Sequence, residues 1–282
     1  MKQTRRVNPK VYTKEYYLTD CTGHEEFKKT SGDSLEPRLQ ELIKYFKVKS
    51  GMRVLDIGCG RGEMVLFCAK NGADAVGIDY SKDAIKLAKH AQASKPEKLK
   101  AKMSFYTMDA KKMKFNDSSF DSVILTDVVE HLYPEELAIV FQEIKRVLKK
   151  NGTLVIHTAP NKWFNDFGYP YYSYPLSSFL LFFWNLISRK KYPNIARPQE
   201  LRKDSHAIMH INEPTYFSLK NLYKTYRFQG EIISTNITAK KPEISMKDVI
   251  FNCLVFLHPL SKRFPYNVFF GSDFVSILTN KK

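Results

Sequence analysis

The sequence lacks the cysteine patterns of metal-binding and disulfide-rich proteins. Its four cysteines, Cys21, Cys59, Cys68 and Cys253, lie far apart, and none forms a CxxC or a Cys/His metal-ligand pattern. The basic N-terminus shows no secretory signal. We therefore expect a cytoplasmic protein with reduced thiols and no bound metal.

The sequence also lacks long apolar runs and is poor in acidic residues. Its two most apolar segments, 176–187 and 249–257, are shorter than the roughly 20 residues that a membrane-spanning helix needs. The chain has 29 Asp and Glu against 45 Lys and Arg, a net charge of +16. Residues 159–282 hold 17 Lys and Arg against 8 Asp and Glu. This excess indicates that the C-terminal half faces phosphate groups, an anionic membrane or nucleic acid, or is a solvated basic surface.

Short apolar strands alternate with amphipathic helices between residues 52 and 158. Such alternation predicts right-handed crossovers and a parallel sheet covered on both faces by helices. The predicted strands are 53–57, 75–78, 103–108, 122–126 and 153–158, and the predicted helices are 63–70, 81–91 and 134–148. The fold class is therefore α/β and Rossmann-like.

The rest of the chain differs in character from this core, and four regions are predicted. Residues 1–50 form an N-terminal helical cap, and residues 51–160 form the ligand-binding core. Residues 161–212, rich in Pro and aromatics, form an insertion on the substrate side. Residues 213–282 complete the sheet with strands near 230–238 and 274–279, and carry an apolar helical insertion near 246–263.

A glycine-rich turn, DIGCGRG at 56–62, follows the first strand. Ligands of open parallel sheets bind at this edge, and glycines allow the backbone to approach them closely. The G-x-G-x-G spacing differs from the G-x-G-x-x-G of dinucleotide enzymes, which bind a pyrophosphate at a helix N-terminus. Asp56 would repel a pyrophosphate. The turn therefore predicts a ligand that is cationic at this point, and disfavours an NAD-dependent reductase.

Two further carboxylates follow the next strands. Asp79 ends the second strand, where an acidic residue accepts hydrogen bonds from ribose hydroxyls in nucleotide-binding α/β folds. Asp109 follows the third strand and is placed to accept from an adenine amino group. Each is alternatively a helix cap or turn residue. Three carboxylates at successive strand ends favour a nucleoside-binding cleft.

Four motifs in this order resemble a known family. VLDIGCGRGE (54–63), GIDYS (77–81), MDA (108–110) and DVVEHL (127–132) resemble the class I S-adenosylmethionine (SAM)-dependent methyltransferases that modify small molecules, lipids and glycans. The resemblance covers residues 35–160. It implies SAM as the cofactor and a seven-stranded sheet whose last strand inserts antiparallel between the fifth and sixth.

The resemblance also implies roles for individual residues. The methionine part of SAM would meet Asp56, Gly58, Gly60 and Gly62, the ribose Asp79 and the adenine Asp109. The further expected cofactor contacts are Cys59, Tyr80, Met108, Ala110 and Asp127, with Arg38 as a candidate for the SAM carboxylate.

Three residues after the fourth strand are the candidates for catalysis. His131 is the preferred general base, because its reference pKa of about 6.5 suits proton transfer near neutral pH. Asp127 and Glu130 face the same cleft. Alternatively these three residues only shape the pocket, or bind a divalent cation as the similarity to quinone-biosynthesis O-methyltransferases suggests; no fourth ligand is evident. His206 and His210 are further candidates for the acceptor pocket.

The acceptor is expected to be a small molecule, a lipid or a lipid-linked saccharide, methylated on a hydroxyl. The two apolar segments and their basic flanks favour an anionic membrane surface as a partner, at the inner face of the membrane; packing on the core or in a dimer is the alternative. An RNA methyltransferase is less favoured, because no RNA-binding module is present and DVVEHL replaces an Asn-Pro-Pro-Tyr-like motif. A SAM-binding protein without transferase activity remains the other alternative.

Overall fold

The structure is a computed structural model that describes residue 7 and residues 11–187, 195–202, 209–238 and 246–282. His206 lies outside the described residues.

A seven-stranded sheet forms the centre of the chain. Its strands are β1 (Arg53–Ile57), β2 (Asp74–Asp79), β3 (Met103–Thr107), β4 (Phe120–Thr126), β5 (Leu148–Thr158), β6 (Phe228–Thr235) and β7 (Asp273–Asn280). The spatial order is β3-β2-β1-β4-β5-β7-β6. Strands β1 to β5 pair in parallel, and β7 is antiparallel to both β5 and β6. The predicted α/β class, with an antiparallel last strand between the fifth and sixth, is confirmed.

Helices cover both faces of the sheet. They are α1 (Lys14–Thr19), α2 (His24–Thr30), α3 (Pro37–Leu42), α4 (Glu63–Lys70), α5 (Lys82–Ala93), α6 (Glu97–Lys100), α7 (Pro134–Val147), α8 (Tyr174–Ile187), α9 (Tyr216–Thr225) and α10 (Met246–Val255). Helix α5 begins where the sequence indicates, because the Ser81 hydroxyl accepts a hydrogen bond from the backbone N–H of Ala84. Its small residues Ala84 and Ala88 are buried.

The core lies in two layers, one on each face of the sheet. Because side chains alternate along a strand, Leu55 of β1 packs with Phe141 of α7 and Tyr223 of α9, whereas Val54 packs with Leu42 of α3 in the opposite layer. All five side chains are at least nine-tenths buried. Both faces of the sheet are covered, as a parallel sheet requires.

Strand β5 begins earlier than the sequence indicates. A turn is expected at Asn151-Gly152, but the strand already starts at Leu148, which pairs with Phe120. The register with β4 then shifts, and Asn151 adopts a φ of 59°. Asn tolerates this conformation, and burial of Leu148 fixes the earlier start.

Residues 164–187 and 246–270 form one body, here called the aromatic unit. It contains a π-helical segment (Phe164–Ser173), α8, α10 and two short 3₁₀ turns. Phe164, Tyr169, Val255 and Phe256 form its small core. None of the described helices is long and apolar enough to cross a membrane.

Candidate active site

The glycine-rich turn between β1 and α4 is built so that side chains are excluded from it. Gly58 has a φ of 73°, and a Cβ there would lie 2.5 Å from Cγ2 of Val128. Gly62 has a φ of 89°, and a Cβ there would lie 2.8 Å from Cζ of Phe105. The N–H groups of Gly58 and Cys59 donate to the carbonyl of Ile78 at 2.8 and 3.0 Å. The turn is therefore fixed against β2, with its backbone exposed to a ligand.

Three carboxylates lie buried around this turn: those of Asp56, Glu63 and Asp79. Burial, with the nearby charges of Asp79 and Glu63, raises the pKa of Asp56 to about 8. Burial likewise raises the pKa of Asp79 to about 6, although the N–H groups of Ser81 and Gly60 donate to its carboxylate at 2.8 and 3.1 Å. Such a site favours a ligand that brings positive charge and hydroxyl donors, and disfavours a pyrophosphate. These carboxylates fit the ammonium, sulfonium and ribose groups of SAM.

A cleft opens at the carboxyl ends of β1 to β4. Its walls contain seven of the residues predicted for the site: Gly58, Asp79, Tyr80, Met108, Asp109, Ala110 and His131. The side chain of Asp109 is half-exposed at its rim, where its carboxylate accepts from the N–H of Lys111 at 2.9 Å. Asp56 and Cys59 are buried behind the turn and do not line this cleft.

The N-terminal segment, of which the structure describes Val7 and residues 11–22, covers the cleft. Val7 lines it, and the ring of Tyr12 makes edge contacts with Tyr80 and His131 at centroid distances of 5.4 and 6.0 Å. Arg61 of the glycine-rich turn anchors this segment. Its guanidinium is buried and donates to the carbonyls of Tyr17, Cys21 and Thr22, and to Glu63. Opening of the segment would leave this charge without most of its acceptors.

Asp127 lies in a chain of charged side chains, not in the wall of the cleft. Its carboxylate accepts from Arg38 and lies 2.5 Å from Nδ1 of His157, whose Nε2 is 3.5 Å from Asp273. Burial would raise the pKa of Asp127, but Arg38 and His157 hold it well below its usual range. Burial would lower the pKa of His157, but Asp127 and Asp273 raise it to about 9.

This arrangement bears on two predicted roles. A carboxylate with so low a pKa is a poor base, so Asp127 is better suited to holding Arg38 than to accepting a proton. Arg38 also pairs with Glu36 at 2.9 Å. It therefore sits next to the turn after β4, oriented by two carboxylates.

Glu130, His131 and His210 lie together, and we call them the Glu130 cluster. One donor atom of each lies within 4.8 Å of the others. Nδ1 of His131 is 3.0 Å from the carbonyl of Met209. Glu130 is buried and accepts from the hydroxyl of Thr158 at 2.8 Å. Burial and the charge of Asp127 raise the pKa of Glu130 to about 8.

The cluster changes the picture of a metal site. The sequence offered Asp127, Glu130 and His131 as possible metal ligands. In the structure His210 lies next to Glu130 and His131. Asp127 instead pairs with Arg38 and His157. We retain the prediction that no metal takes part.

Three residues that hold the surroundings of the site in place escaped the sequence analysis: Arg61, His157 and Asp273. The signal for His157 was a histidine directly after the apolar run Leu154–Ile156 of β5, since a buried imidazole there needs hydrogen-bond partners. No local pattern marks Asp273, because its partner is distant in sequence.

The comparisons with known proteins agree with this geometry. Residues 55–156 match the family model described as a methyltransferase domain. The chain is 28% identical over 196 residues to the ubiquinone biosynthesis O-methyltransferase of Pelagibacter ubique, covering 66% of this chain and 76% of that protein. It is 37% identical over 114 residues to the sterol 24-C-methyltransferase of Aspergillus fumigatus, covering 39% of this chain but only 28% of that protein.

A solved structure shares the fold. The SAM-dependent methyltransferase from Methanosarcina mazei matches with a TM-score of 0.53 and 22% identity, over 87% of this chain and 98% of that chain. The match to the methyltransferase-domain model and the curated relatives confirm the expected enzyme class and with it SAM as the cofactor. Residues 55–156 thus form a methyltransferase domain, and the chain is similar to SAM-dependent methyltransferases.

Proposed function

We propose that the protein methylates a hydroxyl group of a lipid or lipid-linked saccharide, with His131 as the general base. The observation that carries this proposal is the position of His131: it lines the cleft while its Nδ1 faces a backbone carbonyl. A carbonyl only accepts hydrogen bonds, so Nδ1 holds the proton and Nε2 is the basic nitrogen.

The neighbours of His131 suit this role. As the acceptor oxygen is methylated, its proton passes to Nε2 of His131, which becomes an imidazolium. Glu130 lies beside it and can stabilise that charge. With its pKa near 8, Glu130 is mostly protonated at neutral pH; the imidazolium beside it would lower this pKa, so that Glu130 ionises as the positive charge forms.

The cleft residues would hold SAM in an extended pose. Asp79 would accept from the ribose hydroxyls and Asp109 from the adenine amino group, with Tyr80, Met108 and Ala110 along the walls. Arg38 would meet the carboxylate of the methionine part. Asp56, behind the turn, would ionise when the ammonium group of SAM approaches and lowers its pKa. SAM supplies an already activated methyl group, so positioning accounts for much of the acceleration.

The acceptor class is supported by relatives and by the surface. The two curated relatives are named for a quinone and for a sterol, both lipids. The aromatic unit exposes large apolar side chains, as a protein that meets lipid would. A cytoplasmic protein that associates peripherally with the inner face of the membrane fits both observations.

Incubation with methyl-labelled SAM and separated lipid, glycan and RNA pools tests the acceptor class. We expect label in the lipid or lipid-linked pool. Label in RNA, with binding that weakens steeply with salt, would replace this proposal by RNA methylation. Label in no pool, despite SAM binding, would favour a SAM-binding protein without transferase activity.

The variant His131→Gln tests the base. We expect turnover to fall by about 10²–10⁴-fold with SAM affinity little changed. Unchanged turnover would rule out His131 as the base. His90→Gln is the matched control, because it changes an exposed histidine of α5 outside the cleft, and turnover should not change.

A further inference from the structure

One face of α8 is apolar and exposed. Phe179, Phe182, Phe183 and Leu186 recur at helical spacing, and their exposed fractions run from 44% to 72%. The opposite face packs on the core of the aromatic unit through Leu176 and Leu180. Soluble helices bury their apolar stripe and expose polar residues. Helix α8 therefore exposes a second apolar face to solvent, although its inner face already packs on the aromatic unit.

The exposed surface continues onto α10 and the turns after it. Ile250 and Leu254 of α10 are 51% and 44% exposed, and Leu260 and Phe264 are 51% and 66% exposed. The π-helical segment before α8 is joined to α10, because the Tyr172 hydroxyl donates to the carbonyl of Leu254 at 3.0 Å. Leu176 and Leu180 of α8 also pack in one cluster with Val255 of α10. The exposed apolar side chains therefore belong to one packed unit.

The charges beside this surface are mostly cationic. Residues 167–199 and 249–272 contain no Asp or Glu, and in the sequence Arg189, Lys190 and Lys191 follow α8. The one acidic residue of α10, Asp248, is half-buried in the first turn of that helix. Lys262 and Arg263 are exposed beside Phe264. Neither forms an ion pair with any residue that the structure describes. A cationic margin around an apolar surface is complementary to anionic lipid headgroups.

The same charges disfavour a second copy of the chain as the occupant. A twofold interface brings identical surfaces together, so it would place Lys262 and Arg263 near their own copies, and the half-buried Asp248 is the one carboxylate of α10. A lipid surface accepts both features at once: aromatic side chains enter the headgroup region and cations meet phosphate. Helix α8 is about 21 Å long, which suits lying in that plane.

The surface is joined to the edge of the sheet that carries the cleft. The Asn161 amide, just after β5, donates to the carbonyls of Val268 and Gly271 at 3.2 and 2.9 Å. Thr158 and Phe274 pair at this edge. The aromatic unit therefore emerges from the carboxyl ends of the parallel strands, where the acceptor must arrive.

We propose that the exposed face of α8, α10 and the Leu260–Phe264 segment docks on an anionic lipid bilayer. That this contact presents a lipid acceptor to the cleft rests on the proposed function. The docking on the bilayer is argued independently of that function.

Flotation of the full chain with lipid vesicles tests the docking without any turnover. We expect binding to vesicles that contain phosphatidylglycerol and much weaker binding to phosphatidylcholine alone. Phe182→Ser with Leu186→Ser should weaken binding about tenfold per side chain. Lys262→Gln with Arg263→Gln should weaken it about fivefold per charge, with an effect that vanishes at high salt.

Two control variants make the test specific. Tyr106→Ser removes a similarly exposed aromatic from the edge strand β3, and Lys98→Gln with Lys114→Gln removes two charges elsewhere. Both should bind as the native chain does, and SAM binding should report that every variant is folded. Absence of vesicle binding by the native chain, equal loss in the controls, or a dimer abolished by the α8 substitutions would overturn the proposal. Methyl transfer to a soluble acceptor would refute the lipid acceptor but leave vesicle binding intact.

Discussion

His157 offers the sharpest test of the charged chain beneath the turn after β4. Its imidazole is fully buried between Asp127 and Asp273, and its pKa is raised from 6.5 to about 9. A folded-state pKa above the unfolded value means that protonation stabilises the fold. The stabilisation is complete below about pH 6.5 and is lost as pH rises through about 9. The shift corresponds to about 3 kcal/mol.

Two substitutions separate the charge from the hydrogen bonds. His157→Asn places an amide nitrogen near the position of Nδ1, so it can still donate to Asp127 without a charge. His157→Gln places its nitrogen near Nε2, so it can reach Asp273 but leaves Asp127 with Arg38 alone. We expect both variants to be less stable than the native protein by about 3 kcal/mol at pH 6.5. We expect His157→Gln to lose more SAM affinity, because Arg38 loses its orientation.

Urea unfolding across this pH range, together with SAM titration of each variant, gives the measurement. The difference in unfolding free energy between native and variant protein should shrink towards zero near pH 9. Taking this difference cancels the contributions of the titrating groups that both proteins share. A difference that stays constant with pH would show that His157 is neutral in the folded protein, and the reasoning would fail.

Further predictions concern the glycine turn, the anchor of the N-terminal segment and metal. Gly58→Ala should lose SAM binding, because its Cβ would lie 2.5 Å from a side-chain atom. Gly51→Ala has a similar positive φ but open space around it, so it should cost only about 1–2 kcal/mol of stability. Equal SAM binding by the two variants would contradict the close approach at Gly58. Arg61→Gln should lower the unfolding free energy by about 3–5 kcal/mol, since it leaves Glu63 buried without its partner; an unchanged melting temperature would refute this. Treatment with a chelator should leave SAM binding and turnover unchanged; restored activity on adding a divalent cation would instead assign a metal to the Glu130 cluster.

The sequence predicted the sheet because its evidence is local. Strand and helix periodicity, the Ser81 cap and the glycine spacing each act within a few residues, and the fold follows from them. The cleft residues Asp79 and Asp109 were likewise predictable, because parallel strands end at one edge.

Long-range pairing escaped the sequence for a physical reason. Asp127 looked like a cleft residue because of its place in DVVEHL, but its partners Arg38 and His157 lie 89 and 30 positions away. Only the folded chain shows that two cations neutralise it. The same holds for His210, which approaches Glu130 and His131 from a segment without regular periodicity.

Calorimetric titration with SAM tests the central claim most directly, because it reports on the cleft alone. The account predicts one SAM site per chain, no binding of NAD, and an affinity at least tenfold weaker in Asp79→Asn, which keeps the shape of the side chain but removes its charge. The contradictory result would be equal SAM affinity in Asp79→Asn and the native protein, or binding of NAD in place of SAM.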